Sequence, residues 1–165
     1  MRYPQPANED EFEEFCLALL RSHWKCEAVE RYGHRGERQH GVDIIDPSGA
    51  EPLRAAQCKH HAPNKTLPPS ELREEVLKAR TFSLPLGYFL VLTSAKKSTE
   101  AQNEVLRLNI EHRAQGLFQI ELMTWEDIER LIGQDPDLQT RLLPQMGVVA
   151  QLQSDAVIHR LSADL

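Results

Sequence analysis

The chain of 165 residues holds no run of 18 or more apolar residues, so no membrane span is expected. Its first residues, Met1-Arg2-Tyr3-Pro4, lack the apolar stretch of a secretory leader, which leads us to expect a cytoplasmic protein. Cysteine is scarce. Cys16, Cys26 and Cys58 are odd in number and scattered through apolar or strand-like stretches, which argues against a disulfide framework and fits a reducing compartment. Basic residues are outnumbered, 19 against 25 acidic, for a net charge of −6. A protein that coats nucleic acid non-specifically depends on phosphate neutralisation and is disfavoured by that balance. An enzyme whose metal ions offset acidic ligands, and whose basic surface is local, is not. There is no internal repeat and no low-complexity tract.

What is present is ordinary globular material, 41% hydrophobic and 27% charged, enough for one core. Asn8 reads as the N-cap of a helix reaching about Trp24, with Glu9, Asp10 and Glu11 at its positive end. Phe12, Phe15, Cys16, Leu19 and Leu20 form its apolar face, and Glu13 falls inside that arc while Glu14 falls outside it. Cys26 to Arg31 reads as a strand. Gly41-Val42-Asp43-Ile44-Ile45 and Ala55-Ala56-Gln57-Cys58-Lys59 read as a β-hairpin across a turn-rich loop. Ser70 caps a helix to about Phe82. Tyr88 to Thr93 is nearly all apolar, the mark of a strand covered on both faces. Ser98 or Thr99 caps the next helix, Phe118 to Met123 forms a last strand, and Thr124 with Asp127 caps a short helix to Ile132. This order predicts an α/β fold: a mixed β-sheet flanked by helices on both faces. We place the main domain at 1–133. Residues 134–165 read as an extension, a linker or partner-binding helix without partners in the domain.

The hairpin carries the chemistry. Alternation along a strand sets Gln57 and Lys59 on one face and Cys58 on the other, and Asp43 can approach that pair. A carboxylate, an amide oxygen and an ammonium converging beside apolar strands must satisfy one another or hold a ligand. The plain alternative is a cross-strand ion pair of Asp43 with Lys59, Gln57 being surface. Zinc held by Cys58, His60 and His61 is disfavoured, because Cys58 points away from the Gln57 face and no second ligand pair has zinc spacing.

These residues resemble the PD-(D/E)-x-K nuclease superfamily, and within it the Mrr-like restriction endonuclease domains. The likeness rests on Phe12-Glu13, Gly41-Val42-Asp43, Gln57-Cys58-Lys59 and Val91-Leu92-Thr93-Ser94, and covers about residues 9–132. It implies a restriction-endonuclease-like fold and a metal-dependent DNA endonuclease. Asp43 would be the central metal-binding aspartate and Gln57 the second ligand, where many relatives carry an acid and Mrr-like members often carry Gln. Lys59 would be the catalytic lysine, and Glu13 the first-helix glutamate, with Glu14 as runner-up. The Cys58 carbonyl is a further candidate ligand. The ion would be Mg²⁺, with Mn²⁺ able to substitute. The substrate would be DNA, most simply double-stranded, approached by Arg35, Arg38, His40, His60, Lys65, Lys96 and Lys97, although loop histidines and scattered surface charge are usually just solvated. Thr93 and Ser94 would cap the following helix or contact phosphate. Such domains often act as effectors in bacterial anti-phage defence, as homo-oligomers or with a sensor module fused or bound through the C-terminal extension. Alternatives are a repair or junction-cleaving nuclease, and a silent DNA-binding or assembly module that keeps the fold.

Overall fold

The structure, a computed structural model, describes residues 3–33 and 40–142. Its elements run α1 (Glu9–His23), β1 (Glu30–Arg31), β2 (Ile44–Ile45), β3 (Arg54–Lys59), α2 (Pro69–Ala79), β4 (Tyr88–Thr93), α3 (Thr99–Gln115), β5 (Gln119–Met123), α4 (Trp125–Gln134) and α5 (Pro136–Leu142). The strands lie in one sheet in the order β1-β2-β3-β4-β5. β1, β2 and β3 are antiparallel neighbours, whereas β3, β4 and β5 run parallel, with α2 and α3 as the crossovers. The mixed sheet expected from the sequence is therefore present.

Strand alternation divides the core in two. Ala56, Cys58, Leu90 and Leu92 pack with α1, α4 and α5 on one face. Ala55, Phe89 and Val91 pack with α2 and α3 on the other. Helices thus cover both faces, and Phe89 through Thr93 of β4 are all buried, as an apolar run in a parallel strand requires. No helix among the described residues is long and apolar enough to cross a membrane.

Local chemistry explains most of the ends. The Asn8 side chain accepts from the Glu11 backbone N–H at 2.9 Å, and Ser98 accepts from Ala101. Thr124 and Asp127 form a reciprocal capping box. α3 stops at Gly116, whose φ of 67° is left-handed.

Four expectations need correction. The strand expected over 26–31 shrinks to Glu30–Arg31, because Cys26 and Val29 donate their N–H groups to Arg21 and Cys26 in turns. The strand expected over 41–45 shrinks to Ile44–Ile45, since Gly41 turns the chain with φ +72°. Asp43 nonetheless stays tied to the sheet, donating to Ala56 at 2.9 Å and accepting from Tyr32 at 2.8 Å. Ser70 does not cap α2; Pro68 holds that position and Pro69 opens the helix with its φ already set. Finally, residues 136–142 of the expected extension form α5, whose Leu138 and Leu142 are buried against α1 and α4. The packed unit reaches Leu142, and residues 143–165 lie outside the described residues.

Candidate active site

β3 is the platform. Parallel pairing beside β4 on one side and antiparallel pairing to β2 on the other fix its register, Ile44 opposite Ala56. That register brings Asp43 across from the end of β3, where Asp43 Oδ2 accepts the Cys58 backbone N–H at 2.9 Å. Withdrawal from water pushes the Asp43 carboxyl up to about 7, opposed by the Cys58 hydrogen bond. The neighbouring carboxylates of Glu13 and Glu9 raise it further, and Lys59 pulls it down. The four sequence-derived residues are thus gathered about one end of β3, with Glu13 reaching Asp43 through its field.

Gln57 is 8% exposed, and its Oε1 has no hydrogen-bond partner. A buried amide oxygen without a donor is costly unless something else supplies positive charge. Lys59 Nζ lies 2.9 Å from Glu75 Oε1, and Lys78 Nζ reaches the same oxygen at 3.2 Å. Burial works against the Lys59 ammonium, but the Glu75 hydrogen bond and charge, with Glu71 and Glu9 behind, hold it above the ordinary lysine value. The cross-strand pair of Asp43 with Lys59 is replaced by a pair between β3 and α2.

The ends of β3 and β4 are stitched together. Thr93 Oγ1 donates to the Lys59 carbonyl at 2.7 Å and accepts from Ala95. Ser94 Oγ accepts from His61 N–H at 2.7 Å and donates to the His61 carbonyl at 2.9 Å. Both hydroxyls therefore hold the strand ends in register. Neither caps α3, a role that belongs to Ser98.

The remaining candidates separate. Glu14 is 71% exposed and faces Arg31 at 3.7 Å, which removes it as an alternative to Glu13. His60 sits beside the site: its N–H donates to Glu9 Oε2 at 3.2 Å and its ring Nε2 lies 3.1 Å from the Pro6 carbonyl. His40 Nδ1 is 2.7 Å from Thr81 Oγ1, just past the C-terminal end of α2. Lys97 pairs with Asp127 at 2.9 Å, at the start of α4. Lys65 and Lys96 are joined through the backbone, Lys96 donating to the Lys65 carbonyl. A cavity of about 650 Å³ opens past the end of β3, bordered by Gln5, Pro6, His60, Asn64, Lys96 and Trp125. A second, of about 660 Å³, lies at the β5 edge among Lys97, Leu106, Ile120, Leu122 and Leu131, and none of Asp43, Gln57 and Lys59 lines it. Arg35 and Arg38 lie outside the described residues.

Cys58 is fully buried on the opposite face, packed in the core against α1 beside Cys16, and burial pushes its thiol well above the usual range. Among the described residues, no three His, Cys, Asp or Glu side chains gather closely enough to hold an ion. Any ion at the end of β3 would therefore draw on the Gln57 amide and main-chain oxygen as well as on carboxylates.

Glu75 is the functional candidate that sequence reasoning missed. Its signal was the one that marked Glu13: with Leu72, Val76 and Ala79 it forms the buried stripe of an amphipathic helix.

No family model matches the chain, and no curated protein matches it. Among solved structures, the chain is similar to the DNA modification-dependent restriction endonuclease AspBHI, at 15% sequence identity with a TM-score of 0.42. The match covers 99% of this chain and 42% of that one, so the chain spans about two fifths of that protein's length. The fold stated above rests on the sheet and its helices, not on that likeness.

Proposed function

We propose that this chain is a Mg²⁺-dependent endonuclease domain of the Mrr-like kind that hydrolyses phosphodiester bonds in double-stranded DNA. The observation that carries the reading is the buried, partnerless oxygen of Gln57 beside the raised carboxyl of Asp43. A neutral amide oxygen, a carboxylate crowded by two others and a main-chain carbonyl form an all-oxygen set, which suits a hard divalent ion and not zinc. Asp43, Gln57 and the Cys58 carbonyl would hold the ion, with Glu13 adding negative charge directly or through water. Bound there, the ion would supply Lewis-acid charge for the phosphoryl oxygens and lower the pKa of water. Lys59 would place its fixed positive charge beside the phosphate as negative charge develops. Lys65, Lys96 and His60, near the end of β3, would meet the DNA backbone. Residues 143–165 and a sensor module or second copy would supply control, in keeping with an effector of anti-phage defence.

One observation favours the silent-module reading. The Lys59 ammonium is already paired with a buried carboxylate, as in a structural ion pair. Supercoiled-plasmid cleavage in Mg²⁺, Mn²⁺ or EDTA, beside Asp43→Ala and Lys59→Ala, separates the two. Cleavage that needs the metal and both side chains is the expected result. A folded protein that neither cuts nor binds Mn²⁺ by calorimetry sinks the nuclease reading.

A further inference from the structure

Resting on the nuclease reading, we infer that Glu75 is a positioning residue: from α2 it fixes the direction in which the Lys59 ammonium is presented to the site. Lys59 ends β3 with its side chain 24% exposed, and a lysine in that position has four rotatable bonds and many rotamers to lose. Glu75 is 3% exposed and cannot relocate without leaving a buried charge unpaired. Its Oε1 receives Lys59 at 2.9 Å. Lys78, one turn further along α2, meets the same oxygen at 3.2 Å and balances the carboxylate from the solvent side. Lys59 therefore needs to give up only part of its interaction with Glu75 when a phosphate arrives. The Lys59 backbone is pinned separately by the Thr93 hydroxyl, so main chain and ammonium are each held by a different element. Such an arrangement supports a catalytic group in the way that outer partners support a metal ligand, without touching substrate.

The test combines cleavage with a signal from the ammonium itself. In wild type, the Lys59 Nζ–H groups should give a slowly exchanging NMR resonance. Glu75→Ala should lose that resonance and lower kcat for plasmid cleavage about 10- to 100-fold, with KM and Mn²⁺ affinity kept. Glu75→Gln, whose amide oxygen still accepts from Lys59, should restore most of both. Should Glu75→Ala fail to fold, Glu75→Met, which fills the space without an acceptor of comparable strength, takes its place with the same outcomes. A variant that cuts as fast as wild type, or that loses kcat with the Lys59 resonance intact, overturns the positioning role alone. A wild type that neither cuts nor binds Mn²⁺ overturns the nuclease reading beneath it.

Discussion

The Cys58 backbone N–H donates to Asp43 Oδ2 at 2.9 Å, so a main-chain group of β3 holds the carboxylate that precedes β2. The bond tethers the side chain but does not compensate its desolvation, because the carboxyl still stands near 7 against an ordinary 3.8.

That imbalance sets a pH dependence with a definite sign. Below about pH 4 the carboxyl is protonated in both folded and unfolded chains. Between about 4 and 7 the unfolded chain releases the proton while the folded chain keeps it, so folding stability falls as pH rises through that window and levels off above it. Asp43→Asn keeps an oxygen for the Cys58 N–H and removes the titration. It should be more stable than wild type at pH 8 by about 0.5–2 kcal/mol, with the advantage fading by pH 4. Urea unfolding at the two pH values measures this. The same variant should lose Mn²⁺ binding, and wild type should release protons when it binds the ion, as calorimetry in buffers of different ionisation enthalpy would show.

A second pair has the opposite slope. Asp46 is 2% exposed and receives Arg54 at 2.7 Å, and the Arg54 guanidinium also lies 4.7 Å from the centre of the Trp24 ring. Burial raises the Asp46 carboxyl, but the Ser48 and Arg54 hydrogen bonds outweigh it and hold it at about 2. Its contribution to stability is fully present above about pH 4 and is lost as pH falls through 2. Arg54→Ala should cost about 1–3 kcal/mol at pH 7. The gap from wild type should narrow by pH 2.5 in denaturant titrations.

The third prediction concerns the sheet edge. Gln119 donates to Gly87, toward β4, so in a parallel ladder Ile120 presents its peptide groups outward. The Asn109 side chain satisfies both, accepting from Ile120 N–H at 2.8 Å and donating to its carbonyl at 2.9 Å. His112 Nδ1 lies 2.7 Å from the Phe118 carbonyl two residues earlier. α3 thereby blunts a strand edge that would otherwise invite pairing. Asn109→Ala should cost about 1–3 kcal/mol and increase self-association over wild type. Thermal melts and sedimentation at several concentrations would show both, and an equally stable variant with unchanged sedimentation would refute the idea.

What could be read from the sequence was mostly what neighbours in the chain decide. The Asn8 and Thr124 caps, the apolar face of α1 and the doubly covered β4 are written in spacings of one to four residues. The hairpin register placed Gln57 and Lys59 on one face for the same reason. What escaped depends on contacts far apart in the chain. The segment 26–31 after α1 alternates in part as a strand would, yet the Cys26 and Val29 N–H groups are taken by turns. Ser70 is a good cap that loses to two prolines pre-set for the helix start. Lys97 looked like a phosphate contact until the fold brought Asp127 to it. Glu75 lies sixteen residues beyond Lys59, and only the crossover through α2 returns it to the end of β3.

Gly41 carries a consequence for any attempt to isolate the chemistry. A Cβ there would stand 2.9 Å from Lys78 Cβ and 3.2 Å from the Glu75 carbonyl. The hairpin's leading turn and the second helix are thus seated against each other with less than a methyl group between them. A peptide spanning only the hairpin would retain the carboxylate and the amide, but nothing in it would tell the ammonium where to point. If the proposed nuclease site is correct, the smallest unit that could carry it therefore ends not at Lys59 but after Ala79.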